Sequence, residues 1–264
     1  MSTGQQPAID VTGTTALVTG GTSGLGLAMV RALAAAGARV AFTSRDVDRA
    51  RRAQDAVSGS LGLVADARDA GSVEAAIDAA WQALGSVNFF VNNAGIGMRT
   101  VNPRFLVEPL AFWQVPLDGF RAVIETNLTG YFIAARAIAP RMLAAGAGRI
   151  VTISINHATM RRAGFVPYGP SRAGSEALSR IMAADLAASP VRVNILVPGT
   201  VTDTGMVPPD APRPEAFNPA LPEIMGPPIV WLASPAAAAV RDQRIAANEF
   251  ESWRAQWLAA HPAE

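Results

Sequence analysis

Short apolar runs alternate with longer amphipathic stretches along most of this chain. Residues 14–19 (TTALVT) form an apolar run that ends in glycines, and 25–36 follow with helix-forming residues closed by Gly37. That order reads as strand, glycine turn, helix. The same patterning predicts strands at 39–43, 62–65, 89–92, 149–153 and 192–197. Between them it predicts helices at 46–57, 72–84, 120–145 and 169–187, the third of these one long helix. A final helix near 229–233 and a short strand near 244–247 would close the sheet. Strands this short, separated by helices of ten or more residues, are the pattern of right-handed βαβ units. Such units require a parallel sheet covered on both faces.

The pattern breaks at 203–228, where eight of the 19 prolines fall with little periodicity. A stretch that long without its own regular structure reads as a lid or flap on the substrate side. No linker-like shift in composition and no repeat of solenoid length appears, so the expectation is one domain over 1–264.

Composition narrows the chemistry. Half of the 264 residues are apolar and 16% are charged, which is ample for a packed core and excludes a disordered chain. The 22 basic residues are all arginine against 21 acidic ones, leaving a net charge of +1. That balance provides no excess for a phosphate backbone, so a nucleic-acid partner is not expected. There is no cysteine and there are only two histidines, which removes thiolate chemistry and disfavours a multi-histidine metal site. The polar start MSTGQQPAID has neither a basic nor an apolar leader region, and apolar runs are broken well before the ~20 residues of a bilayer span. The expectation is a cytoplasmic protein with no membrane partner.

The glycine turn carries the first chemistry. Thr19-Gly20-Gly21-Thr22-Ser23-Gly24-Leu25-Gly26 sits where a strand ends and a helix begins. Glycine there lets the backbone approach a diphosphate, while helix N-terminal amides face the anion. The second strand ends in Thr43, Ser44 and Arg45 rather than in a carboxylate. A guanidinium pairs with a ribose 2′-phosphate where a carboxylate would repel it, so NADP(H) is favoured over NAD(H). Arg45 also reads as a solvated first-turn arginine, and Asp46 as the cap of the next helix.

Further segments converge. Asp66 follows the third strand, Asn92-Asn93-Ala94-Gly95 ends the fourth, and Asn127 lies in ETNLTGYF. Tyr168-Gly-Pro-Ser-Arg172 opens the last long helix, and Pro198-Gly199 ends the sixth strand. In order and spacing this resembles the short-chain dehydrogenase/reductase family over about residues 10–250. The resemblance implies a Rossmann-type, doubly wound α/β fold with a sheet of about seven strands. It implies that Gly20, Thr22, Ser23, Gly24, Leu25 and Gly26 form the diphosphate turn, that Ser44 and Arg45 meet the ribose, and that Asp66 and Ala67 contact adenine. Asn93, Ala94 and Gly95 would line the adenosine ribose, and Pro198, Gly199, Val201 and Thr204 would hold the nicotinamide amide. Asn127 would hold a water in the proton relay, with Tyr168 as the general acid and base. Members of the family usually assemble as homodimers or homotetramers through the two long helices.

Two positions depart from that pattern. Where the family has lysine four residues after the tyrosine, this chain has Arg172. A guanidinium keeps the positive charge that favours tyrosinate and would still reach ribose hydroxyls, but it is planar, bulkier and permanently protonated. At the usual serine position, 13 residues before Tyr168, stands Ile155. Ser154 is its neighbour, and on a regular strand adjacent side chains point to opposite faces. Ser154 would serve only if the strand end bulges or twists; Asn156 and His157 are other nearby donors.

Less specific features remain open. Arg161 and Arg162 read as solvated loop residues or as contacts to an acidic substrate. Residues 98–116, with Phe105, Phe112 and Trp113, read as a pocket wall or as packing over the sheet edge. Trp253 and Trp257 share a helix face, for tail packing or a subunit contact. The functional expectation is an NADP(H)-dependent oxidoreductase for a small-molecule carbonyl or secondary alcohol. The alternative is a relative that has left redox chemistry, an isomerase, cyclase or lyase, or a silent nucleotide-binding subunit.

Overall fold

A computed structural model describes residues 9–206 and 219–262. Seven parallel strands form one sheet in the order β3-β2-β1-β4-β5-β6-β7. They are β1 (Thr15–Val18), β2 (Arg39–Ser44), β3 (Leu61–Val64), β4 (Phe89–Asn92), β5 (Gly148–Ile153), β6 (Val191–Val197) and β7 (Arg244–Ala246). The chain is thus a doubly wound α/β fold of the Rossmann type, as the alternating pattern predicts.

Side-chain alternation along the central strands divides the core between the two faces. Ala16 and Val18 of β1, Phe89 and Val91 of β4, and Val151 and Ile153 of β5 pack with α1 (Gly24–Ala35). Leu17, Phe90 and Ile150 face the other way, onto α3 (Ala70–Leu84). Local signals set several helix ends. The Asp46 carboxylate caps α2 (Val47–Ala56) by accepting from the Arg49 amide at 2.9 Å, and Asp69 caps α3 through the amides of Gly71 and Ser72.

The predicted long helix is continuous but not uniform. It runs as α4 (Leu117–Ile124), a π-helical stretch at Glu125–Thr129, and α5 (Gly130–Ala144). Wide turns of this kind recur at functional sites, and Asn127 lies within this one. A short α6 (His157–Met160) follows β5, and α7 (Tyr168–Asp185) follows it.

The proline-rich stretch lies partly outside the described residues, at 207–218. Its two ends come together, because Thr202 bridges Ala220 in parallel and the Asp203 amide donates to the Ala220 carbonyl at 2.9 Å. Beyond it lie α8 (Gly226–Ala233) and α9 (Phe250–Ala260). Trp253 stacks on Trp257 with ring centroids 5.7 Å apart and meets Trp231 of α8 edge-on, so this aromatic face is tail packing. Among the described residues no helix is long and apolar enough to cross a membrane, and no cluster of metal-ligating side chains occurs.

Candidate active site

Strand order reverses between β1 and β4, which leads the loops after their C-terminal ends apart and opens a crevice. A cleft of about 890 Å³ lies there. Thr22, Ser23, Gly24 and Leu25 line it, with Gly20 and Gly26 at the turn itself. A β-carbon at Gly20, where φ is +67°, would come within 2.9 Å of the Ala94 backbone. One at Gly26 would collide with the Gly20 carbonyl. The turn is therefore bare backbone, closed from behind by Asn93, whose amide donates to the Thr19 and Gly20 carbonyls at 2.8 and 3.2 Å. Thr43 braces it from β2 by accepting from the Gly20 amide at 3.2 Å. This cradle fits a diphosphate, which needs close approach to amides rather than side-chain bulk.

Ser44, Arg45, Asp66 and Ala67 line one end of the cleft, together with Arg49 and Arg68. Sequence reasoning missed those last two arginines, because nothing local distinguishes them from solvated ones. Arg68 grips Asp66 with Nη2 at 2.6 Å and its backbone amide at 3.0 Å. The hydrogen bond from that guanidinium pulls the Asp66 carboxyl down to about 2, with Arg45 adding a smaller share.

At the other end stand Tyr168 and Arg172, one turn apart on α7. The Arg172 guanidinium carbon lies 5.3 Å from the centroid of the Tyr168 ring and 5.4 Å from that of Tyr131. Arg172 is 3% exposed, and its Nε has no hydrogen-bond partner among the described residues. Burial works against its charge, yet the electrostatic influence of Tyr131 and Tyr168 prevails and holds the guanidinium protonated more firmly than usual. A buried, partnerless donor facing this company fits a ligand that brings oxygen acceptors.

Strand β5 ends at Ile153, so strict alternation no longer governs Ser154. Ser154, Ile155 and Asn156 all line the cleft. The Ser154 hydroxyl is buried and has no partner among the described residues, whereas the Asn156 side chain is committed to capping α6 through the Thr159 amide at 2.7 Å. Arg244 fixes this segment by donating to the Ile155 carbonyl at 2.7 Å while Glu176 holds its Nε at 3.0 Å.

Asn127 stands one layer behind the wall. Its amide group exchanges two 2.9 Å hydrogen bonds with the Ile96 backbone and donates to Ser171 at 3.1 Å. Pro198, Val201 and Thr204 line the cleft, while Gly199, at φ +79°, packs against Asn248 instead. The remaining wall is apolar. Met98, Phe105 and Phe165 cluster beside Tyr168, the two phenylalanines meeting edge-on at 5.6 Å. Phe105 thus belongs to the pocket, whereas Phe112 and Trp113 are exposed. Arg162 lies over the Phe165 ring at 5.0 Å and also borders the cleft, but Arg161 borders a separate shallow depression with His157.

Comparison with known proteins agrees with this arrangement. Residues 14–214 match the family described as short chain dehydrogenase. The chain is 32% identical over 240 residues to D-threitol dehydrogenase of Mycolicibacterium smegmatis, covering 86% of this chain and 88% of that one. A short chain dehydrogenase from Burkholderia cenocepacia in complex with NADP superposes with a TM-score of 0.76 at 27% identity, covering 90% and 99% of the two chains. A 7α-hydroxysteroid dehydrogenase complexed with NADH and 7-oxo glycochenodeoxycholic acid superposes with a TM-score of 0.79 at 27% identity, covering 90% and 94%. With the glycine cradle and the Tyr168–Arg172 pair in one cleft, these matches make the chain a member of the short-chain dehydrogenase family, an oxidoreductase of the alcohol–carbonyl pair that works with a nicotinamide cofactor.

Proposed function

We propose that the chain is an NADP(H)-dependent reductase or dehydrogenase in which Tyr168 is the acid and base. The observation that carries this reading is the placement of Tyr168 beside a buried, permanently charged Arg172 in the cleft that holds the glycine turn. The bound dinucleotide supplies the hydride donor or acceptor. The chain supplies the rest. Tyr168 gives its phenolic proton to the carbonyl oxygen during reduction and takes it back from the alcohol during oxidation. Arg172 places its positive charge beside the Tyr168 ring and offers its Nε, unpartnered among the described residues, toward the nicotinamide ribose.

Ser154 is the substitute oxygen donor, since its buried hydroxyl alone in this stretch lacks a partner among the described residues. Asn127 keeps its place in the proton relay through the Ile96 backbone and Ser171, the latter bonded in turn to the Tyr168 carbonyl. Arg45 is the 2′-phosphate partner, with Arg49 lining the same end of the cleft, where the Arg68 charge is paired with Asp66. NADP-bound and NADH-bound relatives both occur in the family; the arginine in place of a carboxylate after β2 supports NADP(H) here. Met98, Phe105 and Phe165 favour a substrate that carries its hydroxyl or keto group on an apolar body.

The chain acts as one dinucleotide-binding domain, cytoplasmic and self-associating through α4, α5 and α7. Support for assembly comes from Leu117, Phe132 and Ile181, which are 59%, 50% and 59% exposed on those helices. The test is NADPH fluorescence titration followed by turnover of a panel of cyclic and aliphatic ketones. Binding and turnover are expected, with Tyr168→Phe keeping the first and losing the second by roughly 10²- to 10⁴-fold. Binding without turnover of any ketone would favour the silent nucleotide-binding reading.

A further inference from the structure

The chain has two tyrosines, and both face the same guanidinium. Tyr131 lies one turn beyond Asn127, at the start of α5, and is 1% exposed. Packing alone would be met by phenylalanine there. A buried hydroxyl is costly unless it is bonded, and this one is bonded twice. It donates to the Ile153 carbonyl at 3.2 Å and accepts from Arg172 Nη1 at 2.6 Å, while the same Nη1 reaches that carbonyl at 3.2 Å. The carbonyl's two lone pairs and the phenol's donor and acceptor sites are thereby all used. The backbone of Tyr131 is tied to β4, since its carbonyl accepts from the Asn92 side-chain amide at 2.8 Å.

The consequence concerns the fork of the arginine. With Nη1 tied to the Tyr131–Ile153 corner, Nη2 lies against Gly95, where a β-carbon would collide with it. Nε is left unpartnered among the described residues. An ammonium has no such fork to orient, so the problem arises only because arginine occupies this position. We propose that Tyr131 is a positioning residue: its hydroxyl anchors one arm of Arg172 so that the rest of the guanidinium faces Tyr168 and the nicotinamide ribose. This rests on the cofactor-binding reading above and gives a part in that site to Tyr131, to which the family resemblance assigns no role.

The test is a double-mutant cycle of NADPH affinity, read by fluorescence, over wild type, Tyr131→Phe, Arg172→Lys and the pair. Tyr131→Phe keeps the ring and is expected to bind NADPH about tenfold more weakly, the scale of one charge-assisted hydrogen bond. In the Arg172→Lys background the same change is expected to cost little, because the fork is gone. Equal losses in both backgrounds, or no loss in either, would overturn the proposal. A second readout needs no cofactor. In Tyr168→Phe the only remaining tyrosine is Tyr131, so ultraviolet tyrosinate titration follows it alone. Burial pushes the Tyr131 phenol up, and Arg172 opposes that rise. Adding Arg172→Met should therefore move its ionisation to still higher pH, and an unmoved titration would also overturn the proposal. Failure of the wild-type chain to bind NADPH or NADH would instead sink the cofactor reading, with the titration still reporting whether Tyr131 and Arg172 touch.

Discussion

Arg172 donates Nη1 to the Tyr131 hydroxyl at 2.6 Å, across the gap between α7 and α5, while its guanidinium carbon stays 5.3 Å from the Tyr168 ring centroid. The contact gives the arginine in the family's lysine position a fixed seat. The chain's exclusive use of arginine among its basic residues would explain the residue type, but not the buried phenol that receives it.

Arg172→Lys tests whether that seat matters. The shorter ammonium keeps the charge but loses the fork that spans Tyr131 and the Ile153 carbonyl. We expect NADPH affinity and kcat to fall by about tenfold, on the scale of one lost charge-assisted bond. A gain in kcat would show that arginine is merely tolerated.

Ser154→Ala separates a catalytic hydroxyl from a structural one. The buried Oγ has no partner among the described residues, so its removal should leave the melting temperature unchanged or slightly raised. Ketone reduction should fall by ~10²- to 10³-fold, as when an oxyanion donor is lost, with NADPH binding intact. Unchanged turnover would remove Ser154 from the mechanism.

Arg45→Glu addresses cofactor choice. A carboxylate at the end of β2 would repel a 2′-phosphate and accept from ribose hydroxyls. NADPH affinity is expected to drop by roughly tenfold or more while NADH affinity rises, both read by fluorescence titration. Parallel losses for the two cofactors would assign Arg45 a purely structural part.

Asp66 makes a pH prediction whose sign is fixed by its partner. Its carboxyl is held at about 2 against an ordinary 3.8, through the hydrogen bond from Arg68. A depressed carboxylate contributes stability that is fully present above the unfolded value and is lost as pH falls through the folded one. The melting-temperature gap between wild type and Asp66→Asn should therefore be constant above about pH 5 and close between about 4 and 2. Because Asp66 and Arg68 side chains are 31% and 43% exposed, added salt should narrow the gap as well.

Much of this was legible in the linear order of residues. Short, nearly continuous apolar runs placed the central strands to within a residue or two, and βαβ alternation dictated parallel pairing. The glycine turn, Asn93 and Asp66 line the cleft because each directly follows a strand end, and the crevice opens where the loops after those ends part. Gly199 is the exception among the cofactor motifs, turned toward Asn248 by a positive φ that spacing does not report.

What the fold alone decided depends on contacts between distant segments. Sequence spacing set Ser154 against Ile155 on opposite faces, but β5 ends at Ile153, and Arg244 from the far edge of the sheet holds the Ile155 carbonyl. The wide turn around Asn127 and the meeting of Tyr131 with Arg172, 41 residues apart, have no periodic signature. Local propensity and patterning act over one turn or one strand and so determined the elements and the motif positions. The orientation of a buried guanidinium depends on which donors and acceptors tertiary packing brings within 3 Å of it, and only the assembled sheet and helices supply them.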